Sequence, residues 1–341
     1  YGGRLVGQDD VQFSDLESFA KSLNVCSRGK PIEIYDYQLN AVHNQLANQR
    51  SLIVSPTGSG KSLIIYLLAR WYVQQGLKAI VIVPTTALVE QMYSDFVDYS
   101  TINQWDVREH CQKLYSGFPR EFTKSVLFTT WQSIYKQPGQ WLNQFDVVVG
   151  DEAHQFKAKS LSTLMSKMTT VKYRVGTTGS LDDSKIHRLQ LIGMFGSIYN
   201  TTTTRQLIDE KKLANLKITS ILLKHPESER REYHKLDYAD EIKYLVNNPA
   251  RNKFIRNLAS SCKGNTLVLF RFIDHGELLH SMISEKVDRS VFLVHGQTDV
   301  DDREQIRTIL SKERDAIVVA SYGVFSTGIN APSIENIIYG S

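Results

Sequence analysis

The sequence predicts an α/β protein of two tandem domains, each a parallel β-sheet flanked by helices. Three observations carry that prediction. Short apolar runs of strand length alternate with longer stretches of helical periodicity, the pattern of parallel sheets with helical crossovers. The alternation occurs twice, on either side of a polar stretch at residues 200–248. A chain of 341 residues is also long enough for two domains of ordinary size, each with its own core.

In the first series, strands are expected over residues 51–55, 79–83, 126–129, 146–149 and 173–177. Helices fit between them over 37–48, 61–75, 86–99 and 160–168. The second series has strands over 266–270, 291–294, 316–320 and 336–339, with helices over 277–285 and 301–311. Residues 1–31 read as the remnant of an N-terminal region, in which 13–23 form one amphipathic helix. The first domain is expected over 32–205 and the second over 206–341, incomplete at its C-terminal end. The stretch 200–248, Thr-rich at its start and dense in charge around 227–235, reads as a connection and the less regular beginning of domain two.

Composition excludes several classes. Hydrophobic residues make up 42% and charged residues 22%, which argues against disorder. The longest apolar runs, residues 63–69 and 79–83, are too short to cross a bilayer, so no membrane partner is expected. Tyr1-Gly2-Gly3-Arg4 lacks the apolar core of a signal peptide, and a first residue other than Met suggests a piece of a longer chain or a processed product. Cys26, Cys111 and Cys262 lie far apart and fit neither a metal spacing nor a disulfide framework, so a reduced, cytoplasmic protein without structural metal is expected. The net charge of +4 permits nucleic-acid binding without diagnosing it.

Two motifs point to chemistry. Ser55-Pro56-Thr57-Gly58-Ser59-Gly60-Lys61-Ser62 lies just after an expected strand and just before an expected helix. Glycines there let the backbone curl so that successive N–H groups face a polyphosphate, and Thr57, Gly58, Ser59 and Gly60 form that cradle. Lys61 reaches the β- and γ-phosphates of ATP, and the Ser62 hydroxyl holds Mg²⁺. Ser55 stands where such loops usually begin with Gly. About ninety residues on, an aliphatic run delivers Gly150-Asp151-Glu152-Ala153-His154 at a strand end, where α/β sheets place their chemistry. Taken alone, this is a solvated acidic pair. Following a phosphate loop, Asp151 becomes a Mg²⁺ holder, Glu152 the base that orients and deprotonates water, and His154 a γ-phosphate sensor.

These motifs, in this order, resemble the superfamily 2 helicases of the Asp-Glu-Ala-His type, and further segments fall in that family's sequence. Tyr35-Asp36-Tyr37-Gln38 resembles the adenine-reading segment, with Gln38 suited to adenine's two-edged hydrogen bonding. Val83-Pro84-Thr85-Thr86-Ala87-Leu88 and Thr129-Thr130-Trp131-Gln132 resemble segments that contact the nucleic-acid backbone, which assigns DNA contacts to Thr85, Thr86, Thr130 and Trp131. Thr177-Thr178-Gly179-Ser180 resembles the segment coupling hydrolysis to movement, through Thr178 and Ser180. In the second series, Val294-His295-Gly296-Gln297 with Arg303 resembles another family segment. The stretch from Ala320 to Asn330 resembles one that touches nucleotide and strand, through Gly328.

The resemblance implies two RecA-like domains with ATP in the cleft between them. It is strongest to phage recombination and repair helicases and covers residues from about 32 to the end. For those it implies a 3′-to-5′ motor on branched DNA in the bacterial host cytoplasm. Its substrates are Holliday junctions, forks, D-loops and R-loops (hence RNA–DNA hybrids), and its partners recombination or replication proteins. The family's Gln-x-x-Gly-Arg-x-x-Arg segment, which supplies arginine fingers, is not found before Ser341, so the chain by itself is expected to bind ATP and hydrolyse it poorly. Three readings stay open beside the helicase: a double-stranded DNA translocase of restriction-motor or remodeller type, an RNA helicase, and an ATP-gated binding module.

Overall fold

Parallel strands need crossover connections, and helices supply several of them, among them Lys61–Gln74 and Thr86–Ser100 in the first series and Ile273–Ser284 in the second. The computed structural model describes residues 11–116, 121–157, 159–181, 184–233, 236–295, 312–325 and 333–341. They fall into two compact units, Tyr1–Leu216 and Lys217–Ser341.

The first unit is built on a seven-stranded sheet in the order β5-β6-β4-β7-β8-β3-β9, parallel throughout. Its strands are β3 (Arg50–Val54), β4 (Ala79–Val83), β5 (Cys111–Leu114), β6 (Val126–Thr130), β7 (Val147–Gly150), β8 (Tyr173–Thr178) and β9 (Ser197–Asn200). A small antiparallel pair, β1 (Cys26–Ser27) and β2 (Lys30–Pro31), stands apart from it. Neighbouring residues along each central strand belong to different cores. Ile53, Val81, Phe128 and Val149 face one cluster, while Leu52, Ile80, Leu127 and Val148 face the other. A sheet covered on both faces demands continuous Val, Ile and Leu, and each such side chain contributes roughly 1.5–3 kcal/mol on burial.

Helices α1 (Phe13–Ser22), α2 (Asp36–Asn48), α3 (Lys61–Gln74) and α4 (Thr86–Ser100) belong to this unit. Helix α1 is no loose remnant: Leu16 and Ala20 are buried in the first core, and the Phe19 ring meets Trp71 edge-on at 4.9 Å.

The second unit has a four-stranded parallel sheet ordered β11-β12-β10-β13: β10 (Thr266–Phe270), β11 (Val291–Val294), β12 (Ile317–Ser321) and β13 (Asn336–Tyr339). It too is covered on both faces, with Val268, Phe270 and Val319 in one cluster and Leu267, Leu269 and Val318 in the other.

Every strand expected from the apolar runs is present within one residue of its expected bounds. The unanticipated strands β5 and β9 are the two edges of the large sheet, each only four residues long and partly polar. Edge strands have less to bury, so they carry no continuous apolar run. The polar stretch after residue 200 is more ordered than expected, with helices Thr204–Asp209, Glu227–Tyr233 and Tyr238–Asn247. The last of these has no buried residue, although its Tyr238, Ile242 and Leu245 line an apolar crevice. Helix Pro249–Ser261 is likewise additional to the expected elements; Asn248 caps it by accepting from the Arg251 N–H at 3.0 Å, with Pro249 in the first turn. The helix expected over 301–311 lies outside the described residues.

Candidate active site

The carboxyl ends of the first sheet's strands gather the residues singled out from sequence. Along the sheet, Thr130 pairs with Val83, Ile82 with Gly150, Gly150 with Gly176, and Thr178 with Val54. The two strand-contact segments therefore leave neighbouring strands, and the acidic pair, coupling segment and phosphate loop leave the next three. Two glycines in mid-sheet make room beneath the acidic pair. A Cβ on Gly150 would come within 2.8 Å of the Phe156 and Phe195 rings, and one on Gly176 within 2.8 Å of Leu52 and Phe195.

The phosphate loop owes its shape to Gly58 and Gly60, both left-handed at φ +80° and +81°, a region closed to most side chains. Gly60 sits at the N-cap of α3, so that helix's free N–H groups open onto the loop. Ser55 earns its place by hydrogen bonding. Its hydroxyl lies 2.6 Å from Ser59 Oγ and accepts from Thr201 at 2.8 Å, tying the loop to the segment after β9. Lys61 Nζ contacts the Ser55 carbonyl at 3.4 Å. A Cβ on Gly179 would lie 3.4 Å from Thr57 Oγ1 and 3.5 Å from Lys61 Nζ, so the coupling segment rests on the phosphate loop.

Gln38, expected to read adenine, is 3% exposed and already engaged. Its Oε1 accepts from the Tyr35 N–H at 2.9 Å, closing a capping box on α2, and its Nε2 donates to the Ser59 carbonyl at 2.9 Å. Tyr37 donates to the same carbonyl at 2.9 Å. The segment therefore braces the phosphate loop.

Asp151 is 7% exposed, and its Oδ1 accepts from Thr177 Oγ1 at 2.7 Å. Glu152 is held at φ +50°, a strained backbone for a residue with a side chain. Burial, and then the Asp151 charge, raise the Glu152 pKa above the usual carboxylate range, while Lys61 and His154 pull against them. His154 Nδ1 stands 3.3 Å from Glu152 Oε2 and 3.0 Å from Thr178 Oγ1. Thr178 gives its own proton to the Ser180 carbonyl at 2.8 Å, so His154 carries hydrogen on Nδ1. A hydrogen-bonded line thus runs from the acidic box through His154 and Thr178 to Ser180.

The proposed strand-contact residues are less uniform. Thr86 is exposed, whereas Thr85 caps α4 by accepting from the Leu88 N–H at 3.3 Å. Thr130 is buried, with its hydroxyl 2.9 Å from Ser133 Oγ. Trp131 is half-buried, its ring 6.0 Å from Tyr135 and packed against the second core. Gly328, Gln297 and Arg303 lie outside the described residues. Tyr37 and Thr177 stand in the segments singled out from sequence, though without a role of their own there; nothing marks Thr201, nor Leu213, whose methyl lies 2.5 Å from where a Gly58 Cβ would be. Single hydroxyls and a lone Leu carry no spacing signature.

Residues 31–182 match the family described as Type III restriction enzyme, res subunit. The ATP-dependent DNA helicase uvsW of Enterobacteria phage T4 is 34% identical over 336 residues, covering 97% of this chain and 66% of the phage protein. The chain thus spans just under two thirds of that relative. The DNA 3'-5' translocase XPB2 of Sulfurisphaera tokodaii is 24% identical, over 88% of this chain and 73% of its own length. The crystal structure of T4 UvsW superposes with a TM-score of 0.52 at 34% identity, over 98% of this chain and 66% of that one. The chain belongs to the superfamily 2 helicases.

Proposed function

We propose that this chain is the ATP-driven motor of a DNA helicase that unwinds or branch-migrates branched DNA in recombination and repair. One observation carries the reading. The phosphate loop, acidic pair and coupling segment meet at adjoining strand ends, linked by hydrogen bonds from Asp151 to Thr177 and from His154 to Thr178. The branched substrate rests on the similarity to the phage helicase.

The chemistry of the site suits a magnesium nucleotide. Ser62 and the buried Asp151 offer the hard oxygen donors that Mg²⁺ takes from proteins, usually one or two beside phosphate and water. Among the described residues no group of three or more His, Cys, Asp or Glu side chains is placed to hold a metal by itself. When bound, Mg²⁺ would neutralise charge on the β- and γ-phosphates. Lys61 then leaves the Ser55 carbonyl for those phosphates. Glu152, its pKa raised by burial and the Asp151 charge, takes a proton from the attacking water in its ionised form. His154 relays the occupancy of that site to Thr178 and Ser180, which couples nucleotide turnover to movement.

Glu152→Gln should lower DNA-stimulated ATP turnover about a thousandfold while nucleotide binding persists. Because the Glu152 pKa is raised and its ionised form is the base, turnover should fall on acidification at a higher pH than an unperturbed Glu would allow. The deciding assay supplies a four-way junction, a fork, an RNA–DNA hybrid and blunt duplex, each with ATP. Junction and fork processing that vanishes in Glu152→Gln supports the helicase. ATP turnover with DNA but no strand separation on any substrate would favour the second reading, a double-stranded DNA translocase, to which the res-subunit match and the XPB2 relative point.

A further inference from the structure

Directly after β9 the chain returns to the phosphate loop, and a line of hydroxyls fixes how the two meet. Ser59 Oγ lies 2.6 Å from the Pro56 carbonyl oxygen and 2.6 Å from Ser55 Oγ, which lies 2.8 Å from Thr201 Oγ1. A hydroxyl has one proton and a carbonyl only accepts, so the Ser59 proton goes to Pro56. Ser55 then donates to Ser59 and, its own proton spent, accepts from Thr201. The Val54 carbonyl, 3.4 Å from Thr201 Oγ1, is the more distant acceptor. Ser55 and Ser59 are buried, so bulk water does not stand in for a missing donor. Ser59 also carries the carbonyl that takes the Tyr37 and Gln38 bonds.

The same segment meets the loop again at its far end. Helix Thr204–Asp209 is followed by Lys211 at φ +57°. There the Lys211 N–H donates to the Ile208 carbonyl at 2.9 Å and the Lys212 N–H to the Leu207 carbonyl at 2.8 Å, a closed helix end that sets the course of the chain. Lys212 Nζ stands 3.9 Å from the centre of the Tyr35 ring and 5.5 Å from that of Tyr37. Leu213 comes next, its methyl against Gly58, and the first unit ends soon after, at Leu216. We infer that residues 201–213 strap the phosphate loop into its nucleotide-binding shape, with Thr201 a positioning residue that acts through Ser55 and Ser59. The inference rests on the reading of the loop as a nucleotide site. A cradle of backbone N–H groups binds polyphosphate best when its shape is set beforehand, so the strap acts on nucleotide affinity more than on hydrolysis. By linkage, nucleotide that favours the held loop must in turn tighten the strap.

The test separates affinity from stability. Binding of a fluorescent ATP analogue with Mg²⁺ to the 341-residue chain is measured for the native protein, Thr201→Val, Thr201→Ser and Leu213→Ala. Thr201→Val removes the hydroxyl at nearly constant shape. It should weaken binding about fivefold, with a much smaller change in the rate at which bound ATP is hydrolysed. Thr201→Ser should recover most of the affinity, and Leu213→Ala should weaken it by less than Thr201→Val. In the native protein the analogue should slow hydrogen exchange over residues 204–213, and Thr201→Val should reduce that slowing. Unchanged affinity in Thr201→Val and Leu213→Ala, with only a lowered urea midpoint, would mean that the segment merely packs, and the inference falls. It falls equally if Thr201→Ser binds no better than Thr201→Val, or if nucleotide leaves exchange over 204–213 untouched. Should Thr201→Val not fold, Leu213→Ala and the native exchange decide. Native protein that binds no nucleotide would overturn the proposed function itself, and the inference with it.

Discussion

The two sheets obey the same rule along their length and differ at their carboxyl ends. Both are parallel, both are covered on each face, and both are built from Val, Ile and Leu. At the ends of the first sheet, Ser55, Ser59, Asp151, Thr177 and Thr178 are all buried, and each has a hydrogen-bond partner. At the ends of the second, Phe272, Tyr322 and Arg271 line an apolar crevice of about 500 Å³ together with Tyr238, Ile242 and Leu245. The units also handle buried titratable groups differently. The first keeps carboxylates beside a lysine and a histidine. The second buries His275 at 3% exposure, with Nε2 3.0 Å from Asn252 Oδ1 and Nδ1 unpartnered among the described residues. Scaffold and chemistry are therefore separable: the strands make the sheet, and what stands at their ends decides its use.

The first unit is most vulnerable at a backbone position beside its sheet edge. Gly196 has φ +105°, and a Cβ there would come 2.5 Å from the Arg50 carbonyl oxygen. It leads into β9, beyond which Thr201 holds Ser55. Gly196→Ala should cost the first unit about 3 kcal/mol. All four tryptophans lie in that unit, so urea unfolding followed by their fluorescence reads the loss. An unchanged midpoint would mean the sheet edge tolerates the shift.

Acid should separate the units next. Burial, and then the Arg251 charge, lower the His275 pKa from 6.5 to about 4. The unfolded chain then binds the proton first, so the second unit loses stability as pH falls below 6.5, by about 2 kcal/mol at pH 5. The protection factor for hydrogen exchange over residues 273–284, referred to intrinsic exchange at each pH, should fall accordingly, and His275→Gln should remove the slope. A protection factor there that ignores pH would show that His275 is not held neutral.

The smallest effect has the opposite sign. Gly193 lies in helix Lys185–Phe195, three residues before Gly196, and a Cβ there meets nothing within 4 Å. Gly193→Ala should stabilise the first unit by about 0.5–1 kcal/mol, readable as a raised midpoint in the same fluorescence assay.

By itself the sequence determined the strands, the parallel sheets and the phosphate-loop and acidic motifs, because each leaves a local trace. A doubly covered strand must be continuously apolar, as at residues 79–83, and a phosphate cradle must have glycine where φ is positive, as at Gly58 and Gly60. Only the tertiary structure decided that α1 joins the first core and that β5 and β9 extend the sheet. It alone set Gln38 against Ser59, Thr177 against Asp151, and Tyr99 against Ser62. Those contacts join residues 21 to 37 apart in the chain, and a side-chain hydroxyl or amide looks the same in sequence whether it meets water or a partner brought in by the fold.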